Sequence, residues 1–232
     1  MTLIGLQTTL PQVITAIGGL GTAAFGLVDS TKAFGGGVNH IGFSGIRSAV
    51  TPLTPPAAAG AGPGNTLSPE KILASLQANW FNGTDLGSQK SIAKSLIKLN
   101  LNPGNAATVA AATGVDPATL TAIATNISSG TPLSSAQSDV FGRFDLIVTA
   151  LLDEAYQRSD QTYRNGTRFV AMVVAVLLAI AGVFIVKGTW LSLREIFAAL
   201  IVGLLATPLA PIAKDLSTAL ATAVNTMQLV KK

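Results

Sequence analysis

The chain has no cysteine, a single histidine and few charged side chains: 11% of its 232 residues are Asp, Glu, Lys or Arg. Without cysteine there is no disulfide framework and no thiolate metal site, and the compartment stays open on that ground. The charge deficit is the larger exclusion. An ordinary soluble domain carries about 25% charged residues, so a chain that is 49% apolar with a mean hydropathy of +0.52 belongs first to the membrane class. Aromatics are scarce as well, at 6%. The basic residues never gather into a patch rimmed by stacking rings, which excludes nucleic acid as the expected partner. The net charge of +4 suits an anionic lipid surface instead.

Catalytic motifs are equally absent. There is no HExxH, no GxSxG and no GKS or GKT. His40 stands alone in a glycine-rich stretch, and a metal site needs several ligands. "GAGPGN" is followed by neither lysine nor a strand-to-helix pattern, so it reads as linker. No apolar run has an ionisable residue at its middle, where proton relays and coupling-ion sites place theirs. The expectation is a protein that is not an enzyme, with no catalytic residue, cofactor or metal.

Three long apolar runs are what the chain does contain. The first, from about Leu3 to Val28, has no charged side chain before Asp29. Pro11 falls where a first-turn proline is tolerated, with Thr8 or Thr9 to cap. A helix from Leu10 to Val28 just spans the hydrocarbon. The rival is a cleaved signal peptide, which wants a basic n-region. Nothing basic precedes this run, so a retained span or deeply inserted helix is expected over 1–28. The second run, "RFVAMVVAVLLAIAGVFIVK", is bracketed by Arg168 and Lys187 and lacks the polar face of a soluble helix. "KGTWLSLRE" then turns the chain, with Trp190 at interfacial depth, and "IFAALIVGLLATPLAPIA" returns across it. Residues 168–213 thus predict a transmembrane helical hairpin, kinked by Pro208 and Pro211. An amphipathic terminal helix is expected over 214–232 from Leu216, Leu220, Val224 and Met227.

Between the first and second runs the character changes. Residues 29–66, with "GGG" and "TPPAAAGAGPGN", read as a Gly/Pro/Ala-rich linker. Residues 67–133 read as a small helical region: Ser68-Pro69 starts one helix, Lys90, Lys94 and Lys98 lie opposite the apolar face of the next, Asn102-Pro103-Gly104 breaks it, and Asp116-Pro117 starts another. Ser134 with Gln137 makes a capping box that opens a pre-span helix over 134–167. Its apolar stripe, Phe141, Phe144, Val148 and Leu151, either packs on the short helices or seams one subunit to another. Intrachain burial is the commoner fate of such a face. The helix runs on into the second span unless Asn165-Gly166 breaks it. The fold class is therefore an all-α membrane protein of about three spans.

The segment "FDLIVTALLDEAYQRSDQTYRNGTRFVAMVVAVLLAI" resembles a stretch of uncharacterised bacterial integral-membrane proteins. There a Phe-Asp-led amphipathic helix with spaced Arg and Tyr leads into a span. Phe144-Asp145, Arg158, Tyr163, Arg164 and Arg168 are the matching positions, and the resemblance covers about a sixth of the chain. It implies a bacterial inner-membrane protein and carries no activity with it.

Lys and Arg set an orientation. Lys32, Arg158, Arg164 and Arg168 flank the long loop and Lys214, Lys231 and Lys232 lie in the tail, against Lys187 and Arg194 alone in the hairpin. The positive-inside rule puts the N-terminus outside and the loop and C-terminus in the cytoplasm. In the first run, "GGLGTAAFG" is almost without bulk. Gly18, Thr22 and Gly26 share a face, and Gly19 and Ala23 form a ridge beside it. Such residues let helix backbones approach in lipid, so they are expected to pack against the hairpin or against another copy. The expectation is a self-assembling, homo-oligomeric scaffold in the bilayer. An oligomeric pore lined by Thr8, Thr9, Gln12, Thr15 and Thr22, or an accessory subunit of a larger membrane complex with a partner of its own, are the alternatives.

Overall fold

The structure, a computed structural model, describes residues 10–56 and 68–230, and among them every regular element is helical. Eight α-helices follow in order: α1 (Leu10–Ser30), α2 (His40–Val50), α3 (Pro69–Phe81), α4 (Leu86–Asn100), α5 (Ala106–Thr113), α6 (Pro117–Ser129), α7 (Ser135–Lys187) and α8 (Leu193–Val230). Three of them, α1, α7 and α8, contain stretches long and apolar enough to cross a membrane. The chain is an all-α membrane protein.

It divides into two compact units. One comprises residues 39–163, the other residues 10–38 together with 164–230. The helix α7 belongs to both, because it runs without interruption through Asn165-Gly166.

The first unit is started and stopped by local chemistry. Ser68 caps α3 through its hydroxyl, with Pro69 at the first position, and Asp116 caps α6 through its carboxylate ahead of Pro117. The box that opens α7 is reciprocal: the Gln137 N–H donates to Ser134 Oγ, and the Ser134 N–H donates to Gln137 Oε1. Gly114 and Gly130 end α5 and α6 in the left-handed region. Large side chains fill this core, among them Phe43, Ile46, Leu53, Ile72, Leu76, Ile97, Leu120, Phe144, Leu152 and Tyr156. Burial pushes the Tyr156 phenol up to about 12.

Two expectations are corrected here. Residues 40–53, placed within the 29–66 linker, form α2 and a following 3-10 turn, and Phe43, Ile46, Val50 and Leu53 are core residues. Their spacing of three and four is a helix face, although glycine- and proline-rich sequence surrounds it. Residues 57–67 of that linker lie outside the described residues. Second, Pro208 and Pro211 sit inside α8, which runs unbroken from the hairpin turn past Lys214. The hairpin and the terminal amphipathic helix are thus one helix. Prolines are tolerated within membrane helices, where neighbouring groups re-satisfy the freed backbone. The side chains of Leu216, Leu220, Val224 and Met227 lie outside the described residues.

The second unit inverts the size rule of the first. Most of its buried positions in the spans are small, namely Gly18, Gly21 and Ala24 on α1, Ala171, Ala175 and Ala179 on α7, and Ala199, Gly203, Ala206, Ala210 and Ala213 on α8; Val28 and Thr207 are the larger exceptions. The bulky residues face outward, with Leu177 61% and Val186 89% exposed. In water this arrangement would forfeit the hydrophobic effect. In lipid the tails are as apolar as leucine, so association rests on close contact, and small residues inside with large ones outside is the stable sorting.

Candidate functional site

The candidate site is the packing surface of α1 within the span bundle. Ala24 of α1, Ala175 of α7 and Ala206 of α8 meet in one cluster, with Ile17, Leu20, Val174 and Leu178 around it. The approach is close enough that only glycine fits at three places. A Cβ on Gly18 would collide with Ala213 and lie 2.8 Å from the Leu209 carbonyl oxygen. One on Gly21 would meet the Ala206 carbonyl, and one on Gly203 would run into Val176.

Of the five small residues singled out in the sequence, the structure places only Gly18 in this seam. Thr22, Gly26, Gly19 and Ala23 are exposed, and no atom lies within 4 Å of a Cβ built at Gly19 or Gly26. The docking face follows spacings of three and four along Gly18, Gly21, Ala24 and Val28, not the strict four of Gly18-Thr22-Gly26. Thr22 donates its hydroxyl to the Gly18 carbonyl (3.1 Å), which lets it face lipid without an unmet polar group. Of the residues suggested as a polar lining, Gln12 is exposed and Thr15 is half-buried, while Thr8 and Thr9 lie outside the described residues.

The α7–α8 turn is fixed by a device the sequence reading passed over. Ser192 and Glu195 form a capping box at the head of α8. Glu195 Oε2 accepts from the Ser192 N–H (2.7 Å), the Ser192 hydroxyl (2.8 Å) and Lys187 Nζ (2.6 Å). The spacing S-x-x-E was its signal. Trp190 in this turn is 89% exposed and meets Phe184 edge-on, an apolar ring at a span end as an interfacial belt requires.

The stripe on α7 is used within the chain. Phe144 and Val148 are fully buried in the core of residues 39–163, joined by Leu152 and Tyr156 at steps of four. Phe141 and Leu151 are half-buried at its margin. Phe144 and Val148 of the stripe thus pack within the chain, the first of the two fates expected for it. Beside the stripe, the lysine face of α4 is not simply solvated. Lys90 pairs with Asp153 (2.5 Å), while Lys94 (3.2 Å) and Lys98 (3.0 Å) both reach Asp145.

Lys98 first, then Lys94, holds the Asp145 carboxyl below its usual range. A carboxyl depressed in the folded state contributes stability that is fully present above the unfolded value of about 3.9, declines below it and is lost as the pH falls through the lower folded-state value. Asp145→Asn therefore costs about 1 kcal/mol at neutral pH and nothing once the wild-type carboxyl is protonated. Melting temperatures of the two proteins, compared from pH 7 downward, keep a constant gap above about pH 4 and draw together below it on this account; a gap that does not narrow in acid contradicts it.

No protein-family model matches the chain, and no curated protein or solved structure is significantly similar to it.

Proposed function

We propose that the protein is a non-enzymatic membrane scaffold that assembles with copies of itself through α1. The observation that carries this reading is the second small-residue face. After Gly18, Gly21 and Ala24 have docked α1 on α8, the helix still presents Gly19, Thr22, Ala23 and Gly26 outward, with open space at both glycines. A span turned only to lipid gains nothing from being small there. A neighbouring helix gains close van der Waals contact. The bacterial inner membrane is the proposed site, on the Phe-Asp-led segment. The N-terminus is placed outside and the long loop and tail in the cytoplasm, on the lysine and arginine count.

A chain without cysteine allows a direct test. Single cysteines are placed at Thr22, Ala23, Ala24 and Leu177 and the protein is oxidised in its membrane. Thr22→Cys and Ala23→Cys form linked dimers in high yield. Ala24→Cys, whose side chain is wholly buried within the chain, forms none, and lipid-facing Leu177→Cys forms few. Equal linking at Leu177 and Ala23 would mean random collision and would overturn the proposal.

A further inference from the structure

The contact between α4 and α7 is a ladder, and one rung is incomplete. Lys90, Lys94 and Lys98 follow one another at steps of four along α4, and Asp153, Thr149 and Asp145 face them in reverse order on α7. The end rungs are ion pairs, Lys90 with Asp153 and Lys98 with Asp145. The middle rung sets Lys94 against a neutral hydroxyl: its ammonium donates to Thr149 Oγ1 at 3.4 Å and leans along the ladder to Asp145, which Lys98 already holds. Three ammonium groups thus share two carboxylates, leaving one positive charge in excess.

The structure is open at that rung. A cleft of about 330 Å³ is lined by Lys90, Ser91, Lys94, Thr149 and Asp153, together with Gly87 and Leu152. That volume is at the small end of the range for ligand sites. An ammonium has three N–H donors. Among the described residues Lys90 spends one on Asp153, and Lys94 spends two on Asp145 and Thr149. Unused donors therefore remain on both, with the Ser91 hydroxyl beside them. We infer that this cleft binds a singly charged phosphate group, either a free phosphate monoanion or the phosphodiester of a lipid headgroup, in the place of the missing acid. Asp153 limits the charge it accepts: one negative charge balances the ladder, and a second is repelled. A tetrahedral anion has oxygens enough to take donors from both lysines and from Ser91 at once.

The test is thermal unfolding of the full chain in non-ionic detergent at pH 6, with inorganic phosphate compared with chloride and acetate at equal ionic strength. Phosphate raises the melting temperature saturably above both controls, as a ligand of the folded state must. Thr149→Asp supplies the absent carboxylate, so it folds and loses the phosphate shift. Ser91→Ala, an exposed change inside a helix, weakens half-saturation about tenfold, the effect of one hydrogen bond to a charged group. Short-chain phosphatidylglycerol, titrated alongside, identifies the source: a shift at lower concentration than inorganic phosphate marks a lipid headgroup, and the reverse order marks a soluble ligand. No phosphate shift beyond chloride, an equal shift with acetate, a shift that persists in Thr149→Asp, or an unchanged half-saturation in Ser91→Ala overturns the proposal.

Discussion

Gly21→Leu detaches α1 from the hairpin, and Gly26→Leu does not. The two glycines are five residues apart in the same span, yet their surroundings are opposite. At Gly21 any side chain meets the Ala206 carbonyl, part of the α8 backbone, and lies 3.1 Å from the Ala210 Cβ. Backbone cannot move aside without separating the helices. Overpacking a fitted contact costs about 1–3 kcal/mol, occasionally more, and in lipid no hydrophobic drive pushes the helices back together. At Gly26 a side chain enters open space. The readout is Ala24→Cys, buried in the seam. It reacts with a lipid-permeant thiol reagent in the Gly21→Leu background and stays protected in the Gly26→Leu background. Equal protection in both would mean that α1 does not dock on α8 through this face.

The second large effect lies in the other unit. Gly42 interrupts α2 with a φ of +93°, and a Cβ there would lie 2.5 Å from the Ser159 carbonyl oxygen and 3.1 Å from Trp80 Cζ2. Gly42→Ala suffers twice. A left-handed backbone costs an L-residue about 1–2 kcal/mol, and the collision adds about 1–3 kcal/mol. A domain's whole stability is about 5–15 kcal/mol, so the variant is severely weakened. Its melting temperature falls by on the order of 10 °C. Trp80, buried and donating to the Asn39 carbonyl at 2.7 Å, reports this by fluorescence once Trp190, the only other tryptophan, is replaced by phenylalanine. Gly130→Ala is the comparison: φ is +72° there, but nothing lies within 4 Å of the new Cβ, so only the backbone cost applies. A similar loss for both variants would show that the approach of α2 to α7 is not tight.

The features legible in the sequence were those whose cause is local. Ser68 and Asp116, each before a proline, and Ser134 with Gln137 start helices through contacts to backbone N–H groups within one turn. Apolar runs of span length announce the three membrane helices. What was hidden depends on a partner. Gly21 looks no different from Gly26 until α8 is laid against one and not the other. Spacing by four suggested a single glycine face, whereas the helix carries two, one used within the chain and one left outward. The alanines at 171, 175 and 179 had that spacing in plain view, but length and hydropathy drew the reading to the bulk around them. The partners of Lys90, Lys94 and Lys98 were hidden because the acids that face them lie 47 to 63 residues away on α7. The helix α2 was lost in composition. Its three apolar anchors, Phe43, Ile46 and Val50, and Leu53 in the turn after it are correctly spaced, but flanking glycines and prolines weigh more in a window average than in the fold.

The claim on which the rest turns is that α1 has two small faces with different partners, its own hairpin and another copy. The native mass of the purified protein in lipid nanodiscs tests it most directly, with Gly26→Leu measured beside the wild type. The account predicts a defined oligomer for the wild type and a monomer for Gly26→Leu, with Ala24→Cys still protected in that variant. A wild-type monomer, or an oligomer unmoved by the substitution, contradicts it.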